Sequence, residues 1–173
     1  KGRTFYIMKT DIRLIALDLD GTLLDSQKRL SARNEAVLQE CISRGIYIVP
    51  CTGRIWGGVP EFLRSLPGIR YAITTNGAIV EDVAEHRILD ERKLGCAQAV
   101  DILELAGKFH TMYDAYVDGC AYGEKRFMEH MDDYAIPDTI QTMILQTRQE
   151  VPDVKERIRM LNLPVEKINY FFG

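Results

Sequence analysis

Two aspartates separated by one residue, Asp18 and Asp20, follow a short apolar run at positions 14–17 and precede Gly21-Thr22. Removing a carboxylate from water without a partner costs several kcal/mol, so such a pair at the end of an apolar segment indicates a site. Two carboxylates can hold a hard cation such as Mg²⁺. One carboxylate can also attack phosphorus while the other acts as general acid and then as base. The pair therefore suggests metal-assisted phosphoryl transfer.

Small polar residues follow the next two apolar segments as well, and they are Thr52, Gly53, Arg54, Asn76 and Gly77. In open parallel sheets, ligands bind outside the carboxyl ends of the strands, so we expect these residues to meet the aspartates in one crevice. The Thr52 hydroxyl, the Gly53 N–H and the free N–H groups of a turn at Gly21-Thr22 can all donate to phosphate oxygens. Arg54, Asn76 and Gly77 are candidates for contact with the rest of the substrate. This donor set matches the positioning that phosphoryl transfer requires.

The first half of the chain alternates between apolar runs of strand length and amphipathic segments. Ser31 is a suitable helix N-cap and Gly45 a suitable helix stop. The pattern predicts strands at 14–17, 46–49 and 71–75, with helices at 31–44 and 60–66. Such alternation predicts an α/β fold with a Rossmann-like parallel sheet, helices outside it, and a first strand buried on both faces.

The second half changes character after Gly77. The pattern predicts a hairpin at 79–92, a helix at 95–108, a half-exposed strand at 110–120, helical stretches at 124–134 and 153–160, and a last strand in 166–173. We therefore place a core in residues 8–88 and a smaller α+β unit in residues 89–173.

Composition excludes several classes of protein. The 173 residues carry a formal net charge of −3, so no basic surface for nucleic acid or anionic lipid is expected. No apolar stretch approaches the ~20 residues that a membrane helix needs. The four cysteines show no metal-ligand spacing and are interpreted as reduced thiols of a cytoplasmic protein. Met8 is a candidate initiator, with residues 1–7 as additions to the natural chain.

Each motif alone has a simpler interpretation. Asp20-Gly21 suits a type I′ hairpin turn. An EF-hand loop is a second alternative, but the spacing of its ligands fits poorly. Thr52-Gly53-Arg54 and Asn76-Gly77 are common in ordinary turns. Their ordered occurrence, each just past an apolar strand, favours a site.

The segments LIALDLDGTLLDSQKRLS, IVPCTGR and AITTNGAIV resemble the haloacid dehalogenase superfamily of phosphatases, and most closely its Cof-type branch, whose cap domain follows the third core strand. The resemblance implies that Asp18 is the nucleophile and Asp20 the general acid and base. It also implies that Mg²⁺ is bound by the Asp18 carboxylate and the Asp20 carbonyl oxygen, and that Thr52 binds phosphate. Asn76 and Gly77 match the family's turn near the site.

The same resemblance implies a lysine after the cap and a later acidic motif that completes the Mg²⁺ shell. Neither Asp132-Asp133 nor Lys167 substitutes convincingly. We therefore expect a chain that stops within the cap, nearly inactive by itself, whose uncovered core edge is either paired between copies or covered by a further part of the protein.

The sequence predicts a Mg²⁺-dependent phosphatase of small phosphorylated metabolites, such as sugar phosphates, that acts through an aspartyl-phosphate. One alternative is a non-catalytic binding or regulatory protein with the same fold. Another is a phosphotransferase or phosphomutase that uses the same intermediate. A phosphate-release assay separates the first alternative from the prediction, and transfer to a sugar hydroxyl identifies the second.

Overall fold

The computed structural model describes residues 11–173, and these divide into two compact units. Unit 1 comprises the described residues up to Asn76 together with Val80–Leu89. Unit 2 comprises Gly77–Ile79 and Asp90–Gly173. The expectation that Met8 is the initiator lies outside the described residues.

Unit 1 alternates strands and helices as the apolar pattern predicts. Its elements are β1 (Leu14–Asp18), α1 (Ala32–Ser43), β2 (Tyr47–Cys51), α2 (Glu61–Arg64), β3 (Tyr71–Thr74), β4 (Ile79–Asp82) and β5 (Arg87–Glu91), the last two of which include residues of unit 2. The described strands form a sheet in the order β1-β2-β3-β4-β5. β2 pairs in parallel with both β1 and β3. The predicted α/β class with a parallel sheet is confirmed.

Helix α1 begins and ends where its flanking residues predict. The Ser31 hydroxyl accepts a hydrogen bond from the Asn34 N–H at 3.1 Å, which satisfies one of the free donors of the first turn. Gly45 follows the helix with φ of 77°, a conformation that glycine adopts without steric cost. Leu38 is buried among the apolar residues of unit 1, including Ile48 and Leu63. The helix therefore covers one face of the sheet.

Strand β1 departs from its prediction. Leu14, Ala16 and Asp18 are exposed, whereas Ile15 and Leu17 are half-buried against the apolar cluster of unit 1. Burial on both faces was therefore wrong. β1 is the terminal strand of the described sheet, and side chains alternate between its faces, so residues 11–173 cover only one of them.

Unit 2 is an antiparallel-rich sheet with helices. Its elements are α3 (Cys96–Ala106), β6 (Thr111–Val117), β7 (Cys120–Glu124), α4 (Lys125–Met128), α5 (Asp138–Thr147), β8 (Arg148–Val151), α6 (Val154–Leu161) and β9 (Val165–Phe172). The strand order is β8-β7-β6-β9, with β6 antiparallel to both its neighbours and β8 parallel to β7. Helices α3 and α6 contact each other, and α6 contributes the buried Val154 and Ile158 to the core.

Two predictions in unit 2 need correction, and two elements of this unit were missed. The helix predicted at 124–134 is broken into α4 and a 3₁₀ turn at Met131–Tyr134. Helix α5 and strand β8 were not predicted. All seven residues of β6 are buried, because helices α3 and α6 pack on this strand and the side chains of Arg148, Lys167 and Asn169 cover Asp114 and Tyr116. The predicted half-exposure was therefore wrong.

No helix within residues 11–173 is both long enough and apolar enough to cross a membrane. The four cysteines, all in the described part of the chain, form no disulfide.

Candidate active site

The Asp18 carboxylate is exposed at the carboxyl end of β1. Gly21 adopts φ of 80°, and the turn that it forms folds the chain back onto the strand. As a result the Thr22 hydroxyl donates to Asp18 Oδ2 at 2.7 Å, and the Leu23 N–H donates to the Asp18 carbonyl at 3.2 Å. Thr22 thus positions a carboxylate oxygen, and its predicted contact with phosphate stays a prediction. The alternative of a simple hairpin at Asp20-Gly21 is wrong, since β1 pairs in parallel with β2.

The second strand brings its polar residues to the same end of the sheet. Asp18 lies opposite Cys51 in the parallel register, and Cys51 is followed directly by Thr52. Burial, together with the nearby Asp18 charge, raises the pKa of the Cys51 thiol. A thiol whose pKa is raised is a poor nucleophile at neutral pH.

Asp20 is held by two cations. Arg54 donates from Nε to Asp20 Oδ2 at 2.9 Å and from Nη2 to Oδ1 at 2.7 Å, the two-point geometry of a strong arginine–carboxylate pair. Lys28 Nζ lies 2.8 Å from the same Oδ1. A third bond, from Arg54 Nη1 to the Gly58 carbonyl at 2.9 Å, fixes the guanidinium. The aspartate and arginine, 34 residues apart in the chain, thus meet as predicted.

This environment sets the charge of Asp20. The Arg54 hydrogen bonds, opposed in part by burial and supported by Lys28, lower the pKa of Asp20 to about 2. The same pairing raises the pKa of Arg54. At neutral pH the described arrangement therefore holds Asp20 as an ionised carboxylate.

The loops after β2 and β3 are joined by backbone hydrogen bonds. The Asn76 N–H donates to the Thr52 carbonyl at 3.1 Å, and the Thr75 N–H donates to the Arg54 carbonyl at 2.9 Å. A Cβ on Gly53 would lie 2.5 Å from Asn76 Oδ1, so the Asn76 side chain would have to shift to admit a larger residue. Thr52, Gly53, Arg54 and Asn76 therefore form one packed cluster beside Asp20.

The turn after β3 is strained. Thr75 and Asn76 have φ of 54° and 58°, and Gly77 has φ of 91°. A β-branched residue such as threonine rarely adopts positive φ, and strain of this kind concentrates at functional sites. The buried Thr75 Oγ1 also has no hydrogen-bond partner among the described residues.

The oxygen donors of Asp18 and Asp20 are of the kind that Mg²⁺ binds. This ion prefers oxygen ligands, keeps several waters, and is commonly held by one or two carboxylates. Asp18 supplies an exposed carboxylate, whereas the Asp20 carboxylate is engaged by Arg54 and Lys28, which leaves the Asp20 carbonyl as the donor that the family resemblance implies. Within residues 11–173, no group of three or more His, Cys, Asp or Glu side chains is arranged to hold a metal.

Two residues of this region were not singled out from the sequence. Lys28 reaches Asp20 because a turn fixed by Asp25 presents it there, and the only available signal was the turn-forming Asp25-Ser26 pair. Thr75 carried no signal, because a threonine before Asn-Gly is an ordinary end of a strand.

Comparison with known proteins agrees with this architecture. A family model described as haloacid dehalogenase-like hydrolase matches residues 15–172. Phosphatase YwpJ of Bacillus subtilis is 31% identical over 121 residues, which cover 70% of this chain and 42% of that protein. The 5-amino-6-(5-phospho-D-ribitylamino)uracil phosphatase YcsE of Bacillus subtilis is 35% identical over 104 residues, which cover 60% of this chain and 41% of that protein. The chain thus spans less than half the length of these relatives.

Solved structures show the same fold. A haloacid dehalogenase-like hydrolase from B. subtilis matches with a TM-score of 0.65 and 27% identity, over 84% of this chain and 56% of that one. The sugar phosphatase BT4131 matches with a TM-score of 0.66 at 16% identity, over 87% of this chain and 56% of that one, and this likeness supports the fold alone. The sequence motifs, the sheet and the family match agree: the chain belongs to the haloacid dehalogenase-like hydrolase family.

Proposed function

We propose that the protein is a Mg²⁺-dependent phosphatase of small phosphorylated metabolites, with residues 8–88 as part of the catalytic core and 89–173 as cap. The observation that carries the proposal is the pair of carboxylates at the carboxyl end of β1, held by different partners. Asp18 is bound by a neutral hydroxyl, and Asp20 is bound by two cations. Two carboxylates in different environments suit different chemical roles. The names of the relatives, which are phosphatases, support the same reaction.

Asp18 is the proposed nucleophile. Its Oδ2 is oriented by the Thr22 hydroxyl, and the carboxylate is exposed to an incoming ligand. Attack by an Asp18 oxygen forms a bond to phosphorus, and the bond from phosphorus to the ester oxygen breaks. The products of this step are an aspartyl-phosphate and an alkoxide that must receive a proton. Bound Mg²⁺ would neutralise charge on the phosphoryl oxygens.

Asp20 is the proposed proton carrier. Once it is protonated from solvent, it gives that proton to the leaving oxygen. It later takes a proton from the water that attacks the aspartyl-phosphate, which releases phosphate and restores Asp18, and it returns this proton to solvent. The described contacts favour the base form, because Arg54 and Lys28 hold Asp20 ionised. The acid role therefore requires these two cations to loosen their contact with Asp20 as substrate binds.

The test is phosphate release from an aryl phosphate and from a panel of hexose phosphates, measured in the full-length protein. We expect release that needs Mg²⁺, stops on chelation, and resumes when Mg²⁺ is restored. Ca²⁺ should substitute poorly because its coordination is longer and looser. Undiminished release after exhaustive chelation would contradict the metal requirement, and no release from any ester would favour a non-catalytic role. Transfer to an added sugar hydroxyl would instead identify a phosphotransferase.

A further inference from the structure

Lys28 reaches the site from an unusually well-defined turn. The Asp25 side chain accepts hydrogen bonds from the Gln27 N–H at 2.8 Å and the Arg29 N–H at 2.9 Å. The Lys28 N–H donates to the Asp25 carbonyl at 2.9 Å, and the Asp25 N–H donates to the Arg29 carbonyl at 3.0 Å. Both ends of the turn are thus closed, and its tip residue is the lysine that contacts Asp20.

The backbone at Lys28 adopts φ of 61°, in the left-handed region that residues other than glycine rarely enter. Asparagine, aspartate and glycine are the residues expected at such a turn position. A lysine there gives the turn no conformational advantage, so its side chain is the feature that needs an explanation. That side chain extends to the Asp20 carboxylate, with Nζ 2.8 Å from Oδ1.

The two cations around Asp20 keep donors to spare. A lysine ammonium has three N–H donors and a guanidinium has five. Lys28 contacts one Asp20 oxygen, and its side chain is 54% exposed. Arg54 directs Nε and Nη2 to Asp20 and Nη1 to the Gly58 carbonyl, and its side chain is 30% exposed. An anion can therefore approach both groups from solvent.

The charges also balance at this end of the sheet. Asp18 and Asp20 alone would repel a phosphate group, since like charges at close range oppose each other. Lys28 and Arg54 bring the formal charge of these four side chains to zero. Lysine and arginine are also the side chains that proteins use to bind phosphate.

We propose that Lys28 and Arg54 form a two-cation clamp that holds Asp20 in the free protein and receives the phosphate group of the ligand, which makes Lys28 an anion-binding residue of this site. The proposal rests on the proposed function for the identity of the ligand. It adds a residue to which the family resemblance assigns no role, and it identifies the groups whose contacts with Asp20 must loosen. Among the described contacts, Lys28 and Arg54 form ion pairs with Asp20 and with no other carboxylate. The phosphate group therefore competes only with Asp20 for their donors.

The test measures binding of inorganic phosphate by calorimetry, at fixed ionic strength and with a chelator present so that no metal contributes. Lys28→Met removes the charge and keeps most of the side-chain length, whereas Lys28→Arg keeps the charge. Arg44→Met is the matched control, because it makes the same change in net charge at an exposed pair on α1. We expect Lys28→Met to weaken phosphate binding about two- to fivefold, as for the loss of one exposed charged contact, with Lys28→Arg and Arg44→Met close to wild type.

A second arm repeats the titration with a hexose phosphate on the Asp18→Asn background, which prevents turnover. Equal weakening for both ligands supports a contact with the phosphate group, and weakening for the ester alone would overturn it. Phosphate affinity that is equal in Lys28→Met and wild type, with both folded by circular dichroism, would also overturn the proposal. Phosphate release, measured separately, distinguishes this proposal from the proposed function. Release with no effect of Lys28→Met on phosphate affinity refutes only the clamp. Weaker phosphate affinity in Lys28→Met with no release by the wild type refutes only the phosphatase activity.

Discussion

The two units each contain an aspartate paired with an arginine, and the two pairs differ in their access to solvent. In unit 1, Asp20 is 36% exposed and its partner Arg54 is 30% exposed. In unit 2, Asp114 on β6 is fully buried and Arg148 on β8 is 4% exposed, with Arg148 Nη2 2.8 Å from Asp114 Oδ2. The Asn169 amide on β9 donates to the other oxygen of Asp114 at 2.7 Å.

Burial reverses the direction in which the carboxylate titrates. Arg54 lowers the pKa of Asp20 to about 2. Burial raises the pKa of Asp114 even though Arg148 and Asn169 oppose the shift. Nearby, burial also lowers the pKa of Lys167. The same kind of ion pair thus occurs in two settings: the buried pair joins the strands of unit 2, and the pair in unit 1 remains accessible to solvent.

The largest expected effect is a loss of turnover without a loss of stability. Asp18→Asn removes the attacking oxygen and should abolish turnover, and Asp20→Asn should slow it about 10²-fold or more through loss of acid–base catalysis. Thermal unfolding of both variants should stay close to wild type, because both side chains are exposed. Appreciable phosphate release by Asp18→Asn would exclude the aspartyl-phosphate.

The next effect is a difference between the two ion pairs in how much each contributes to the free energy of unfolding. Arg148→Met leaves the Asp114 carboxylate buried without its main partner, and we expect it to lower the free energy of unfolding by about 3–5 kcal/mol. The matched change Arg54→Met removes an exposed pair and should cost about 1 kcal/mol or less. Urea unfolding followed by circular dichroism measures both.

The combined replacement Asp114→Leu with Arg148→Met is the control for this difference. It removes both charges together, so it should recover much of the stability that Arg148→Met loses. Equal losses for Arg148→Met and Arg54→Met would show that burial does not distinguish the pairs.

The sequence predicted the parallel part of the fold well because the signals there are local. Apolar runs of strand length, the Ser31 cap and the Gly45 stop lie within a few residues of the structure that they determine. The meeting of Asp20 and Arg54 was also predictable, since both follow parallel strands and must lie at one end of the sheet. The roles of these residues in catalysis stay predictions.

The missed features depend on partners that are distant in the chain. β6 alternates like a half-exposed strand, but its Asp114 is buried because Arg148 and Asn169, 34 and 55 residues away, satisfy it. Helix α5 contains three threonines, whose β-branched side chains weaken a helical signal. The position of Lys28 depends on hydrogen bonds that Asp25 makes in a turn, which no apolar periodicity reveals.

The smallest effect tests the opposite titration of the two aspartates. Asp20 has a folded pKa of about 2 against an ordinary 3.8, so its ionised form stabilises the fold above pH 3.8, and this contribution is lost as the pH falls through 2. Solvent exposure reduces the contribution to about 1 kcal/mol. Asp114 has the opposite sign, since a raised folded pKa gives stability at low pH that is lost as the pH rises through that value.

Unfolding free energies of wild type, Asp20→Asn and Asp114→Asn, measured from about pH 6 down to about pH 2, resolve the two contributions. The advantage of wild type over Asp20→Asn should begin to shrink near pH 4 and be small by pH 2, because the wild-type carboxylate then becomes protonated. The difference between wild type and Asp114→Asn should move the other way over the same range, in favour of wild type as the pH falls. Carboxyl carbon resonances followed by NMR assign each change to its aspartate. Two aspartates that titrate together near pH 3.8 would mean that neither the clamp on Asp20 nor the burial of Asp114 acts as the contacts indicate.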